Sequence, residues 1–337
     1  MNNSPQSAIE GPCRSWLSVD GKHGSSERPF RISAAHDEWN HLAIPLVAME
    51  RGFFAEAGLT HVELIATGDE EVQVKGLEQG WIDLGVDPLT SMVLAANAQG
   101  KTLFIGGARR KGHTFHLYGA KEIKQIEDLI GKRIIIGARN GATDVQAREI
   151  FRRFEIEPDK DVEFVYHGNM HDMPQTLRFL EEGRGEAVMV SVSFARHMDK
   201  AGYPQLVDGG QFFPPRQDRV TAVSDMAVRE HFDALVSCFR GMMRAAKVVI
   251  DPEEREAIRQ LVQASGFATE EPEDRHRFEE LLSSLYSRID PAFTLPMNGL
   301  MGVLQECQRD GLVPREFQLE TVLRLDALKA AQASAGS

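Results

Sequence analysis

Three consecutive isoleucines near the middle of the chain most constrain its fold. Ile134–Ile136 lie between Gly131 and Gly137. A short, continuous β-branched run between glycines is typical of a strand that is covered on both faces, as in sheets whose crossover helices lie on either side. The run therefore predicts an α/β protein.

The residues after this strand are suited to binding an anion. They are Asn140, Gly141, Ala142, Thr143 and Asp144, and the next helix begins among them. Backbone N–H groups at a helix start, together with the positive end of the helix dipole, attract carboxylate and phosphate groups. A plain strand-to-helix connection, with Thr143 or Asp144 as the N-cap, is the alternative that the sequence leaves open.

Strand-like and helical segments alternate along most of the chain. The predicted strands lie at 30–35, 62–66, 82–86, 103–107, 133–137, 162–166 and 187–190, with helices between them. From His231 onward the pattern is helical. Two α/β units with mostly parallel sheets, followed by a helical C-terminal part, are therefore expected. The chain contains neither a glycine-rich dinucleotide fingerprint nor a P-loop.

Charge and cysteine content narrow the choice of partners. The 337 residues carry a net charge of −12, which argues against nucleic acid and anionic membranes as main partners. Cys13, Cys238 and Cys307 are too widely spaced for a disulfide framework or a metal knuckle. Residues 1–28 contain no apolar run of the signal-peptide type, so we expect a disordered tail and a cytoplasmic protein without membrane insertion.

Four segments resemble the type II periplasmic-binding-protein-like superfamily, in its branch of taurine/sulfonate, nitrate and thiamine-precursor binding proteins. Ala48–Leu59 resembles its A-x-E-x-G-F-F-x-x-x-G-L segment, and Leu77–Gly85 its L-x-x-G-x-x-D-x-G. Ile126–Ile134 is similar to DL-x-GK-x-I. Leu180–Ala187 is similar to a second L-x-x-G-x-x-DA, with Glu186 in place of aspartate.

This resemblance implies two lobes with a ligand held in a cleft between them. Lobe I would comprise 29–117 and 223–331, lobe II would comprise 118–222, and 332–337 would form a second tail. The ligand would lie against the loops that follow the strands. The predicted ligand-binding residues in these loops are Asp37, Trp39, Asn40, Asp87, Arg109, His116, Asn140, Gly141, Ala142, Thr143, Asp144, His167, Ser191 and Ser193.

Histidines are concentrated in the same loops. His36, His41 and His113 are the predicted proton-transfer groups, because imidazole exchanges protons near neutral pH. Thr143, the Gly141–Asp144 backbone and Arg109 would bind the acidic group of the ligand. His167-x-x-x-His171 has a spacing found in zinc sites, but no cysteine or glutamate partner is nearby, so neither a metal ion nor a cofactor is predicted.

Two classes of function follow from these observations. The favoured hypothesis is turnover of a small anionic, possibly aromatic molecule by histidine acid–base chemistry, such as a decarboxylase-like lyase step. The alternative is a non-catalytic solute-binding protein of an ABC importer, which would need a permease partner and an export signal, or a cytoplasmic ligand sensor. The nucleophilic cysteine of the related desulfinases is missing after the first strand, where this chain has Asp37 to Asn40.

Overall fold

The chain forms two α/β units. The structure, a computed structural model, describes residues 14–17, 28–35, 39–109, 115–137, 139, 141–167, 173–213, 216–266, 282 and 288–335. Unit 1 comprises Met1–Lys111, Arg219–Pro296 and Glu316–Ser337, and unit 2 comprises Gly112–Asp218 and Met297–Arg315. In the described part of the chain, every helix is too short or too polar to cross a membrane.

Unit 1 contains a six-stranded sheet in the order β1-β3-β2-β4-β11-β5. Its strands are β1 (Arg14–Leu17), β2 (Phe30–Ala34), β3 (Val62–Ala66), β4 (Leu84–Gly85), β5 (Leu103–Gly107) and β11 (Thr221–Ser224). Strands β2, β3 and β4 are parallel, and β11 is antiparallel to both β4 and β5. The carboxyl ends of β2, β3, β4 and β5 therefore share one edge of the sheet.

The unit 1 helices bury a large apolar core against this sheet. They are α1 (Trp39–Glu50), α2 (Phe53–Glu56), α3 (Glu70–Glu78), α4 (Thr90–Ala98), α9 (Asp225–Glu230), α10 (Phe232–Val249), α11 (Arg255–Ala264) and α13 (Asp326–Ala335). The central helix is α10, which contacts α1, α2 and α13. Its buried Cys238 is a free thiol, as is Cys307 in unit 2.

Unit 2 contains a five-stranded sheet in the order β10-β6-β9-β7-β8. Its elements are β6 (Phe115–Gly119), β7 (Arg133–Ile136), α5 (Ala142–Arg153), β8 (Glu163–Tyr166), α6 (Met173–Glu181), β9 (Ala187–Ser191), α7 (Val192–Lys200), β10 (Gln205–Val207), α8 (Gly209–Phe212) and α12 (Met297–Arg309). Strands β7, β8 and β9 are parallel, and β6 runs antiparallel to β9.

The triple isoleucine forms β7 and is covered on both faces. Ile134 and Ile136 belong to a core cluster with Ile150 of α5, whereas Ile135 belongs to a second cluster with Met198 of α7. Successive side chains of a strand point to opposite faces, so α5 and α7 lie on opposite sides of the sheet. The predicted α/β class with two mostly parallel sheets is confirmed.

Two details differ from the sequence-based expectations. Arg14–Leu17, expected in the disordered tail, pairs antiparallel with β3 and covers what would otherwise be an open sheet edge. The sequence pattern assigns the C-terminal part as a whole to lobe I, whereas Met297–Arg315 packs within unit 2. This segment buries Leu300, Val303 and Leu304, and its Arg309 pairs with Glu149 of α5.

Gly209 provides a test of close packing in unit 2. A Cβ atom at this position would lie 1.9 Å from the carbonyl oxygen of Phe115, whereas a Cβ at Gly302 in α12 would meet nothing within 4 Å. We expect Gly209→Ala to lower the free energy of unfolding by about 1–3 kcal/mol. Gly302→Ala, the matched control, should raise it by about 0.5–1 kcal/mol, since alanine favours a helix interior. Urea unfolding of both variants measures this, and equal effects would contradict it.

Candidate functional site

A buried ion pair lies at the carboxyl edge of the unit 1 sheet. Asp87 follows β4 and Arg109 follows β5, and they are 2% and 1% exposed. The Arg109 Nε atom donates to Asp87 Oδ1 at 3.0 Å, and Arg109 Nη2 also donates to Asp87 Oδ2. A bidentate guanidinium–carboxylate pair neutralises both charges, so the Arg109 charge is balanced inside unit 1.

Arg109 also completes the hydrogen bonding of helix α1. Its Nη2 atom donates to the His41 carbonyl at 2.8 Å. That carbonyl would normally accept from the N–H four residues later, but residue 45 is a proline inside the helix and has no N–H. The guanidinium therefore replaces the missing backbone donor, which explains why α1 tolerates Pro45.

A second arginine joins the same edge from the segment that leads into β11. Arg219 Nη1 donates to the Asp87 carbonyl and to Glu70 Oε1, the latter at 2.9 Å. Glu70 is the first residue of α3, where a carboxylate also interacts favourably with the helix dipole. The sequence gives no periodic signal for Arg219, which is the residue that sequence reasoning missed here.

The imidazole of His41 is enclosed beside the same carboxylate. It is 3% exposed, and its Nδ1 atom lies 3.6 Å from Asp87 Oδ2. Trp39, at the start of α1, is also buried, at 4% exposure, and belongs to the apolar core. The structure thus brings His41, Asp87 and Arg109 together from three segments, in an arrangement that orients groups inside unit 1.

In unit 2, two helices begin at neighbouring strand ends. Helix α5 follows β7 and α7 follows β9, and these two strands are hydrogen-bonded to each other. The N-cap residues are Gly141, which has no side chain, and Ser191, whose hydroxyl does not cap α7. By contrast, α8 begins at the same edge and is capped by the carboxylate of Asp208, which accepts from the Gly210 N–H at 2.9 Å.

The predicted N-caps of α5 have other roles. The Thr143 hydroxyl accepts from the Gly137 N–H at 2.9 Å and so stabilises the turn after β7. Asp144 accepts from Arg148 Nε at 2.8 Å within the same helix. The alternative in which Thr143 or Asp144 caps the helix is therefore wrong, because the chain enters α5 earlier, at Gly141.

Two arginines and a tyrosine lie beside the start of α5. Arg148 Nη2 donates to the Tyr166 hydroxyl at 3.1 Å, and the Arg139 guanidinium lies 4.5 Å from the centre of the Tyr166 ring. Burial raises the pKa of Tyr166, while its hydrogen bond from Arg148 opposes that rise. Arg139 is exposed, so unit 2 presents a cation near the Gly141 end of α5.

His116 is buried in β6 at the same edge of unit 2. Its Nδ1 atom lies 2.7 Å from the Gln205 amide and 3.2 Å from Asp208 Oδ1. Burial lowers the pKa of His116, and the charges of Asp208 and Asp199 partly offset that effect. In this position a neutral imidazole accepts from the Gln205 amide.

The remaining predicted residues are placed as follows. His167 directly follows β8 and packs its ring on Phe179, with 4.2 Å between ring centres. Ala142 begins α5, and Ser193 and Asn40 lie in α7 and α1, where only their backbones are described. His36, Asp37, His113 and Asn140 lie outside the described residues. Among the described residues, no three His, Cys, Asp or Glu side chains converge as a metal site.

The comparisons with known proteins identify the class to which this architecture corresponds. Residues 39–189, a little under half of the chain, match the family model described as "NMT1/THI5 like". No curated protein matches the chain in a sequence comparison. Together with the structural neighbours, the family match confirms the resemblance to the type II periplasmic-binding-protein superfamily.

Three solved structures illustrate that fold. The periplasmic nitrate-binding protein NrtA from Synechocystis PCC 6803 has a TM-score of 0.67 at 17% identity, covering 90% of this chain and 88% of its own. The aliphatic sulphonate binding protein SsuA from Escherichia coli has a TM-score of 0.67 at 13% identity, covering 89% and 92%. The desulfurization enzyme DSZB has 0.64 at 15%, covering 91% and 100%. At these identities the likeness shows the fold, which binding proteins and an enzyme share.

The Pro45–Arg109 relation is testable by a double-mutant cycle. We expect Arg109→Met to lower the free energy of unfolding by about 3–5 kcal/mol, because Asp87 would keep a buried charge without its partner. In a Pro45→Ala background, the backbone N–H gained at position 45 can bond to the His41 carbonyl, so the cost of losing Arg109 should fall by about 1 kcal/mol. Additive effects in urea unfolding would show that Arg109 does not replace the proline's missing donor.

The lowered pKa of His116 predicts a pH dependence of stability. The unfolded state binds a proton near pH 6.5, whereas the folded state resists protonation until a lower pH. The stability contributed by neutral His116 is therefore fully present above pH 6.5 and is lost as pH falls through the folded pKa. His116→Gln should flatten this decline in chemical unfolding between about pH 7.5 and 5.5. Parallel curves for the two proteins would be evidence against it.

Proposed function

We propose that this chain is a solute-binding protein that binds a small anionic organic molecule without transforming it and delivers it to an ABC importer. The family match and the nitrate- and sulphonate-binding neighbours support this function. The acid–base alternative rests on His36, His41 and His113, of which the structure describes His41 alone, and that imidazole is buried beside Asp87.

One observation carries the proposal. In the unit 2 sheet, β7 and β9 are neighbours. The chain leaving β7 continues to β8 on one side of this pair, whereas the chain leaving β9 continues to β10 on the other side. Such a switch point leaves a crevice outside the carboxyl ends of the two strands, where ligands of open α/β sheets bind. Both helices begin at this edge, so their positive ends lie there, and neither has a side-chain N-cap that would occupy the first backbone N–H groups.

The ligand class follows from this arrangement. Two helix N-termini and the exposed Arg139 favour one compact negative group, such as a carboxylate, sulfonate or nitrate. Tyr166, held by Arg148 and Arg139, offers an aromatic surface near the same group. Helix dipoles also explain how a chain of net charge −12 attracts an anion locally.

Paired substitutions at Gly141 test the anion site. Gly141 has an extended backbone, with φ −77° and ψ 176°, which other residues also adopt. Aspartate or asparagine there would cap α5, but only aspartate adds a negative charge. We expect Gly141→Asp to bind anions at least about tenfold more weakly than Gly141→Asn, while both variants fold stably.

The measurement is calorimetric titration with nitrate, alkanesulfonates and aromatic carboxylates, followed by mass spectrometry of each ligand after long incubation. An intact ligand supports binding without turnover. Equal affinity of the two variants for an anion that binds the unmodified protein would contradict the site. Conversion of the ligand to a product would favour the lyase alternative.

A further inference from the structure

We propose that Asp87 is a positioning residue that fixes two of the segments connecting unit 1 to unit 2, the exit near Lys111 and the return at Arg219, and thereby sets the rates of ligand binding and release. The part concerning rates rests on the proposed function. Asp87 itself is buried inside unit 1, so its role is to hold other groups.

The contacts of Asp87 reach two of the four connecting segments. The chain leaves unit 1 after Lys111 and after Pro296, and it re-enters at Arg219 and at Glu316. The Asp87 carboxylate accepts from Arg109, two residues before the exit, and the Asp87 carbonyl accepts from Arg219, the first residue after the return. One residue therefore fixes the outgoing segment through its side chain and the returning segment through its backbone.

The backbone around Asp87 supports the same role. Leu89 forms an isolated β-bridge with Arg219, and the Val220 N–H donates to the Pro88 carbonyl at 3.1 Å. Asp87 has φ +58°, in the left-handed region that non-glycine residues rarely adopt. Such a conformation persists where surrounding contacts over-determine it, and the two arginines are those contacts.

The described charges around Asp87 form pairs of opposite sign. Arg109 pairs with Asp87, and Arg219 pairs with Glu70 at 2.9 Å. His41 Nδ1 faces the same carboxylate at 3.6 Å. Within the described residues, the unit 1 edge thus holds two pairs of opposite charge, which distinguishes it from the helix starts of unit 2.

This arrangement has a consequence for binding kinetics. In proteins built from two units, conformational change is absorbed by a few residues in the connecting segments. If the Asp87 carboxylate stiffens the outgoing segment, its loss should increase the local opening of that segment. We therefore expect faster amide exchange there and faster ligand dissociation, with a smaller change in association.

Three variants separate this role from general stability. Asp87→Asn keeps the size and tolerates the left-handed backbone, but it removes the charge that holds Arg109. Arg219→Met leaves the buried Asp87–Arg109 pair intact and releases the returning segment alone. Arg244→Ala, which breaks an exposed pair with Glu56 elsewhere in unit 1, is the control.

Hydrogen exchange with mass spectrometry on the full-length chain is the primary measurement. For Asp87→Asn we expect exchange to rise about tenfold in 103–109, which the carboxylate holds, and for Arg219→Met in 219–224, because Arg219 bonds to the Asp87 carbonyl that Asp87→Asn leaves in place. Exchange in β7 of unit 2 should be unchanged in both variants. The Arg244→Ala protein should exchange like the unmodified protein throughout. Unchanged exchange in both segments, or a uniform rise over all strands, would overturn the role of Asp87.

Stopped-flow binding of the anion selected by calorimetry is the second measurement. We expect the dissociation rate to rise about fivefold in Asp87→Asn and to be unaltered in Arg244→Ala. Unaltered rates together with locally faster exchange would overturn the kinetic part of the inference. If the unmodified chain binds no anion, the proposed function is wrong, while the exchange pattern still decides whether Asp87 fixes the segments.

Discussion

Unit 1 depends on a guanidinium that performs two structural tasks at once. Arg109 supplies the hydrogen bond that Pro45 cannot give to the His41 carbonyl, and it neutralises Asp87. A buried charge or carbonyl without a hydrogen-bond partner would cost several kcal/mol of folding free energy. Asp87 and the His41 carbonyl therefore both depend on Arg109, and Arg109 depends on them. The start of α1 and the ends of β4 and β5 are thereby fixed to one another.

Both sheets contain a point where the strand order reverses, but the residues at that point differ. In unit 1 the strand order reverses between β2 and β4, and in unit 2 it reverses between β9 and β7. The unit 1 edge contains the ion pairs Asp87–Arg109 and Glu70–Arg219, whereas the unit 2 edge contains two helix starts without a side-chain N-cap. Burial of opposite charges gives rigidity, and helix starts of this kind give affinity for anions.

Local patterns predict the elements of this protein better than its long-range contacts. Ile134–Ile136 identifies a strand covered on both faces, because that property depends on the run itself. The alternative with Thr143 or Asp144 as the N-cap starts α5 two or three residues too late, because the chain enters the helix at Gly141 and the Thr143 hydroxyl bonds to Gly137. Pro45 and Arg109, whose guanidinium replaces the missing donor, lie 64 residues apart in the sequence, and no periodicity reveals this connection. The same holds for the pairing of Arg309 with Glu149, which places α12 in unit 2.

Histidine content is a poor guide to chemistry in this chain because the residue type does not specify its surroundings. His41 and His116 both lie near a carboxylate, a geometry that favours proton transfer when the imidazole is accessible. Here both rings are buried, and His116 is hydrogen-bonded to Gln205. A proton donor or acceptor must reach the atom it protonates, so enclosed imidazoles contribute to packing and orientation. Of the predicted proton-transfer groups this applies to His41, since His36 and His113 lie outside the described residues. In the proposed function, the helix starts of unit 2 rather than His41 and His116 provide the anion-binding groups.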